Sequence, residues 1–195
     1  MNENRPEFNV VAYVRAGDDD ENVSLPPTAR VEAAGYVPPA GAQIVIAVAD
    51  VGHRWMLIEE YVHGHGLRAA DIVHPRSIVD RAAIRGTGNI IGPWCYLGAG
   101  AVVGSFNVIN YHCTIGHHSR VGSNNFLAPD FNCGNSVTIG DRNFFGISCT
   151  VAPGVTVGDS CIFQAGLAVF EDLESDYSYF SPPRIKSVKS LKEMK

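Results

Sequence analysis

The sequence predicts a mainly β protein in which short strands stack into a solenoid behind a small α/β unit. The first observation is a period of six: every sixth position from 91 to 169 is apolar, fourteen times in succession. Glycine follows this apolar position nine times, and a small residue usually lies four positions after it. A period of six fits neither a helix nor a simple strand, and it is typical of coils that stack through tight corners.

The segment before residue 72 lacks this period. The stretches "FNVVAYV" and "AQIVIAVA" predict short buried strands, and "GHRWMLIEEYVHGHG" predicts a helix ended by glycine. The order strand, loop, strand, helix indicates a small α/β unit. We therefore expect an N-terminal α/β domain over 1–71, a solenoid over 72–180 and a C-terminal tail over 181–195. The Pro- and Lys-rich tail predicts an extended strap and then a frayed helix.

The repeat resembles the hexapeptide repeat of the left-handed parallel β-helix, in which three hexads make one triangular coil of about 18 residues. The segment "DIVHPRSIVDRAAIRGTGNI" adds about one coil, with Ile78 and Ile84 one residue out of register. In each hexad the large apolar side chain should point inward, at positions Ile91, Leu97, Val103, Ile109, Ile115, Val121, Leu127, Cys133, Ile139, Phe145, Val151, Val157, Phe163 and Val169.

The five cysteines fit the same pattern. Four occupy the small inward position and Cys133 occupies the large one, so we interpret them as core residues. Cys95 and Cys113 fall one coil apart on the same corner, and a cytoplasmic chain would keep them reduced. They form no CxxC pair, so neither a zinc ribbon nor a redox motif is indicated.

Composition argues against several partners. The formal net charge is −5, and no basic run precedes the last dozen residues, so a nucleic-acid surface is not expected. No apolar stretch approaches the roughly 18 residues that span a bilayer. The start lacks the apolar segment of a signal peptide, which favours the cytoplasm. No GxGxxG turn follows a strand, so no phosphate cradle is predicted.

Three histidines, His112, His117 and His118, fall on outward positions of the repeat, where the core does not explain them. Stacked metal ligands would recur about 18 residues apart, and zinc needs at least three N or S ligands. The residues 18 away are instead Trp94, Asp130, Ala99 and Asn135. We therefore expect no metal. His63 and His65 in "HGHG" are expected at the end of the helix.

The stretch "NVINYHCTIGHHSRVGSNNFLAP" looks like the active coil of hexapeptide acyltransferases. It is most similar to the bacterial nucleotide-sugar N-acetyltransferases and sialic-acid O-acetyltransferase-like enzymes, which join a small Rossmann-like domain to a left-handed β-helix. Their pattern is Asn, six residues, His, an acidic residue and then an aliphatic–Gly pair. Asn110, His117 and Val121–Gly122 match it, while His118 replaces the acidic residue. The front segments "VVAYVRAGDDD" and "IAVADVGHRWMLIEEYVHGHGLRAADIVHPRSIV" extend the resemblance to residues 8–185, with the Rossmann-like unit truncated before its Gly-rich turn.

The resemblance implies an acetyl-CoA-dependent N-acetyltransferase that acts on a nucleotide-linked amino sugar, without a metal. It implies a homotrimer with the donor site between subunits. An O-acetyltransferase acting on another sugar and a non-catalytic β-helix scaffold remain alternatives. The catalytic candidates are His117, Asn110 and His118, and the cofactor-binding candidates are Asn135, Ile147, Ala165 and Gly166.

Acyl-transfer chemistry is consistent with these assignments. An amine must lose a proton as it attacks a thioester, and imidazole groups, which generally titrate near pH 6.5, typically contribute about 10²- to 10⁴-fold as bases. The oxyanion needs a hydrogen-bond donor, for which the backbone N–H of Asn135 is the candidate. Asn tolerates left-handed backbone angles, so this amide can be presented. Without a Gly-rich turn, nucleotide contacts are expected from residues 18–20, all Asp, or from a neighbouring subunit.

Overall fold

The structure is a computed structural model that describes residues 10–15, 30–32, 36 and 38–182. The predicted fold class is confirmed: the chain is mainly β, and its parallel strands form a left-handed β-helix of about 6 turns. The solenoid strands are β5 (Ile72–Val73), β6 (Ile90–Ile91), β7 (Tyr96–Leu97), β8 (Val102–Val103), β9 (Val108–Ile109), β10 (Thr114–Ile115), β11 (Arg120–Val121), β12 (Phe126–Leu127), β13 (Asn132–Cys133), β14 (Thr138–Ile139), β15 (Phe144–Phe145), β16 (Thr150–Val151), β17 (Thr156–Val157), β18 (Ile162–Phe163), β19 (Ala168–Val169) and β20 (Ser178–Tyr179).

These strands form three parallel sheets, one for each face of the triangular coil. The seven-stranded face has the order β20-β18-β15-β12-β9-β6-β5, the five-stranded face β19-β16-β13-β10-β7 and the four-stranded face β17-β14-β11-β8. Paired residues lie 18 positions apart from β5 to β19, as in Thr114 opposite Asn132, and 16 apart where β18 pairs with β20. Three edges separate the faces, and each edge stacks equivalent corners. We name them the Asn110 edge (110–113 and equivalents), the His117 edge (116–119) and the Asn107 edge (104–107).

The core follows the predicted register. All fourteen large inward side chains are buried, with exposed fractions between 0% and 7%. The five cysteines are buried and unpaired, which confirms their interpretation as core residues. Burial raises the pKa of the Cys133 thiol to about 11. The Cys133 thiol is therefore neutral at physiological pH and poorly nucleophilic.

The first coil deviates from the strict period. Ile78 pairs with Tyr96 but points outward and is 70% exposed, while Val79 packs against the core. Ile84 pairs with Val103, 19 residues away, which marks a one-residue shift. The expected register shift is therefore present at Ile84, whereas the expectation for Ile78 is wrong, because Val79 keeps the period there and Ile78 points outward.

The Asn107 edge contains a ladder of buried asparagines. Each side-chain oxygen accepts the backbone N–H of the equivalent residue one coil later, at 2.7 to 3.0 Å. The side-chain nitrogens donate to the backbone carbonyls of glycines. Because their side-chain hydrogen-bonding groups have partners, these buried amides can take the place of apolar core residues and also fix the register. The ladder consists of Asn89, Asn107, Asn125 and Asn143, all 0% exposed.

The N-terminal segment contains the predicted helix and a strand in each predicted stretch, but the first stretch is not buried as expected, since Val10, Val11 and Tyr13 are exposed. The strands are β1 (Tyr13–Arg15), β2 (Arg30–Glu32), β3 (Gln43–Ile44) and β4 (Arg68–Ala69), and the helix is α1 (Val51–Leu57), which continues as a π-helix (Ile58–Gly64). The helix ends at glycine as predicted, and His63 and His65 lie at that end. In the described residues the strands form two separate parallel pairs, β1–β2 and β3–β4.

A buried arginine fixes this segment to the solenoid. Arg54 of α1 is 1% exposed, and its guanidinium donates to the side-chain oxygen of Asn124 (2.6 Å), the Asn124 carbonyl (3.0 Å) and the Val48 carbonyl (2.7 Å). Burial lowers the pKa of Arg54 to about 10, against an opposing effect of Asp50. Arg54 therefore stays charged at neutral pH, and the Asn107 edge is where the two parts of the chain meet.

The predicted strap and frayed helix fall mostly on residues 183–195, outside the described residues. No helix in the described part of the chain has the length and apolarity needed to cross a membrane.

The inward register can be tested at Val121, which is 3% exposed, with its neighbour Arg120 as a matched control on the outside of the same strand. We expect Val121→Asp to destabilise the fold by about 4 kcal/mol or more, because it buries an unpaired charge. Arg120→Asp should change stability by less than about 1 kcal/mol, as surface substitutions usually do. Urea unfolding followed by circular dichroism measures both, and equal losses would contradict the register.

Candidate active site

The His117 edge presents two adjacent imidazole rings to solvent. His117 Nδ1 lies 2.9 Å from His118 Nδ1, and the ring planes are nearly perpendicular at 88°. His118 has a left-handed backbone (φ 59°), and its N–H donates to the Ala99 carbonyl one coil below (3.0 Å). A Cβ on Gly100 would lie 3.0 Å from His118 Cδ2, so glycine at that position leaves room for the ring.

This contact constrains the tautomers, because one Nδ1 must donate and the other must accept. If His117 carries its proton on Nδ1, its Nε2 keeps a free lone pair, which is the form that a general base needs. His118 then accepts through Nδ1, as a carboxylate would. In the described residues, neither ring lies within 4.0 Å of a carboxylate.

Asn135 lies directly above His117 on the next coil. The Ser136 N–H donates to the His117 carbonyl at 2.9 Å, which fixes the two corners relative to each other. Asn135 is exposed, and its N–H donates to no acceptor in the described part of the chain. The left-handed residue of this corner is Ser136 (φ 58°), so presentation of the amide does not depend on the angles that asparagine tolerates. The corner offers an N–H to a ligand oxygen, whichever side chain stands at 135.

Asn110 lies on a different edge. Its side-chain oxygen accepts the Tyr111 N–H at 3.1 Å, and its carbonyl accepts from the Cys95 thiol at 2.8 Å. One strand, β10, separates this corner from the corner of His117 in the same coil. Within one protomer, the structure therefore does not bring Asn110 and His117 together.

The three remaining candidates lie above Asn110 on its edge. The Gly166 N–H donates to the Ile147 carbonyl at 2.7 Å, and a Cβ on Gly146 would meet the Ala165 nitrogen at 2.5 Å, so the coils approach closely here. Ile147 is 53% exposed, and Ala165 and Gly166 are also exposed. Small and apolar exposed residues leave room along this edge for a slender, flexible chain.

Two features were not recognised in the sequence. Below the histidine pair, a shallow pocket is lined by Asp80, Arg85, Gly98 and Gly100 among others. On the Asn110 edge, the Arg76 guanidinium lies 5.6 Å from the Trp94 ring centroid. The sequence signal for this contact is the 18-residue spacing of Trp94, His112 and Asp130, which places the three side chains in one column on this edge.

The side chains of Trp94, His112 and Asp130 form a continuous column on the Asn110 edge. The Trp94 and His112 ring centroids lie 5.3 Å apart, and His112 Nδ1 lies 3.4 Å from Asp130 Oδ1. Within residues 10–15, 30–32, 36 and 38–182, no three His, Cys, Asp or Glu side chains form a group that could hold a metal ion.

Comparison with known proteins shows that the solenoid is similar to those of acyltransferases. The hexapeptide repeat of succinyl-transferase matches residues 136–171. PerB from Caulobacter crescentus, solved with CoA and GDP-perosamine, is 28% identical, and the match covers 70% of this chain and 66% of PerB with a TM-score of 0.66. The chain thus spans just under two thirds of that protein.

Two further solved structures agree. A variant of perosamine N-acetyltransferase from Caulobacter crescentus, with CoA and GDP-perosamine, is 26% identical over 75% of this chain and 70% of that chain, with a TM-score of 0.58. The acetyltransferase domain of PglB from Neisseria gonorrhoeae FA1090, with acetyl coenzyme A, is 21% identical over 83% and 80%, with a TM-score of 0.72, and supports the fold alone. The comparison with curated proteins gives no match. Together the repeat and the structural neighbours confirm the resemblance to hexapeptide-repeat sugar acetyltransferases that the sequence predicted.

Proposed function

We propose that the chain is an acetyl-CoA-dependent N-acetyltransferase that acts on a nucleotide-linked amino sugar. The observation that carries this proposal is the exposed His117–His118 pair, with the unpaired N–H of Asn135 one coil above it. The neighbours solved with CoA and GDP-perosamine support the same donor and substrate class. A cytoplasmic location suits this donor and the five unpaired thiols.

In the proposed reaction, His117 acts as the general base. The acceptor nitrogen attacks the thioester carbonyl, the N–C bond forms and the C–S bond then breaks. His117 Nε2 takes the proton that the amine loses and returns it to the departing thiolate, so the products are an amide and free CoA. His118 holds the Nδ1 proton of His117 and so acts as a positioning residue. The N–H of Asn135 stabilises the oxyanion.

The donor path and the base lie on different edges, which favours a site made by two subunits. Asn110, Ile147, Ala165 and Gly166 lie along one edge, and the histidine pair lies along the next. A homotrimer would bring the Asn110 edge of one protomer against the His117 edge of its neighbour. Each site would then take its base from one subunit and part of its donor path from another.

The seven-stranded face is a candidate for the contact between protomers. Its outward side chains are apolar on six of seven strands, and Phe126 stacks on Phe144 with ring centroids 5.1 Å apart. The outward residues of the four-stranded face are mostly polar. An apolar face of this length indicates a protein interface. The column is Ile72, Ile90, Val108, Phe126, Phe144, Ile162 and Ser178.

Because His118 replaces an acidic residue, the experiment must also distinguish an O-acetyltransferase and a non-catalytic scaffold. A neutral His118 stabilises the imidazolium form of His117 less than a carboxylate would. This favours either an acceptor that loses its proton easily or a scaffold without catalysis. A thiol-release assay with acetyl-CoA, run against nucleotide amino sugars and their hydroxyl analogues, separates these functions. We expect release only with an amino sugar. Release with hydroxyl acceptors indicates O-acetylation, and no release with any acceptor rejects the enzyme.

The base assignment predicts an order of effects among three histidines. His117→Ala should lower kcat by about 10²-fold or more while acetyl-CoA still binds. His118→Ala should cost less, because that ring takes no proton from the acceptor, and His118→Asp should shift the rising limb of the pH–rate profile to higher pH, because a carboxylate favours the imidazolium. His112→Ala should change kcat little, because that ring lies on the other edge, and His63→Ala, at the exposed end of the helix, is the control. Full turnover by His117→Ala would reject the assignment.

The interface assignment predicts the response of the assembly to a charge. We expect the wild type to have the mass of three 21.0 kDa chains in analytical ultracentrifugation. Phe126→Glu should dissociate it, because a charge would be desolvated at an apolar contact. Thr150→Glu, at an exposed position on the five-stranded face, should leave the trimer intact. A monomeric wild type, or a trimeric Phe126→Glu variant, would contradict the assignment.

A further inference from the structure

The lower part of the Asn110 edge has a composition unlike the rest of the solenoid surface. Trp94 is 53% exposed and Tyr111 is 44% exposed, although both could be replaced by small polar residues without loss of core packing. Arg76 and His74 flank Trp94 from the coil below, and His112 flanks it from above. We call this group, His74, Arg76, Trp94, Tyr111 and His112, the aromatic shelf.

The shelf combines a planar aromatic surface with cationic donors. The Arg76 guanidinium carbon lies 5.6 Å from the Trp94 centroid, within the range of a cation–π contact, so the arginine is held beside the ring. The Arg76 backbone N–H donates to His74 Nδ1 at 3.1 Å, which leaves the His74 Nε2–H free to donate outward. Asp130, whose Oδ1 lies 3.4 Å from His112 Nδ1, bounds the shelf on its upper side.

We propose that the aromatic shelf binds a nucleobase that carries a phosphate group. A base would stack on Trp94, as bases do on exposed aromatic side chains, and Arg76 would pair with the phosphate through its planar fork. Two molecules of the proposed reaction contain this chemistry: the nucleoside diphosphate of the acceptor and the 3′-phosphorylated ADP of CoA. This inference takes its two candidate ligands from the proposed function, but binding to the shelf does not require turnover.

The position of the shelf fits this role. Tyr111 donates its N–H to Asn110, so the shelf is continuous with the candidate catalytic corner. The small residues of the donor path, Ile147 and Ala165, lie on the same edge two and three coils above Tyr111. A nucleotide on the shelf would therefore leave its attached sugar near Asn110.

The chain offers a site-specific probe, because it has only two tryptophans. Trp55→Phe leaves Trp94 as the sole tryptophan, and Trp55 is a surface residue of α1 outside the proposed sites. In this background we expect UDP or GDP to quench the emission saturably, without acetyl-CoA. Arg76→Ala should weaken binding about 10-fold, in line with a charge-assisted contact, and Arg76→Lys should weaken it less. Arg120→Ala removes the same charge from the four-stranded face and should bind as the parent does.

The outcomes separate the ligand sources and the two proposals. Quenching by adenosine 3′,5′-diphosphate but not by UDP or GDP assigns the shelf to CoA, and the reverse assigns it to the acceptor. The variant His117→Ala should quench normally, since it lies on another edge. If no nucleotide quenches while thiol release proceeds, the shelf proposal fails and the enzyme stands. Emission that changes with protein concentration but not with nucleotide would show that a second copy covers Trp94, and would also overturn the proposal.

Discussion

The whole molecule depends on the 18-residue register in which each coil hydrogen-bonds to the next. Backbone N–H groups donate to carbonyls one coil away, as from Gly98 to Ile115 and from Gly116 to Cys133. A slip of one residue would turn every inward side chain outward, because neighbouring positions of a strand face opposite sides. The buried asparagine ladder adds directional bonds at one edge, so the register is fixed by geometry as well as by apolar burial.

This register decides where chemistry can occur. Faces are made of two-residue strands, and the residues between them form corners, whose outward side chains stack in vertical columns. Equivalent positions 18 apart therefore build continuous edges: the histidine pair with Asn135 on one, and the aromatic shelf, Asn110 and the donor candidates on another. A reaction that needs both edges requires two protomers, so assembly and catalysis are coupled in the proposed enzyme.

The sequence predicted the solenoid because its signal is local and repeated: all fourteen inward positions and all five cysteines are buried as expected. It also predicted the stacking of Asn135 on His117, since that follows from the period alone. It did not predict the Nδ1–Nδ1 contact of His117 and His118, which depends on ring orientation over Gly100. Nor did it predict the buried Arg54, whose partner Asn124 lies 70 residues away. The asparagine ladder was visible as an 18-residue spacing, but buried amides do not follow an apolar pattern.

A crystal structure with acetyl-CoA tests the central claim most directly, because it locates the donor relative to both edges. The account predicts that pantetheine follows Ile147 and Ala165 of one subunit, with the thioester oxygen within hydrogen-bond distance of a backbone N–H at 135 and the carbonyl carbon facing His117 of a neighbouring subunit. Acetyl-CoA bound along a single protomer, with its thioester remote from every His117, would contradict it.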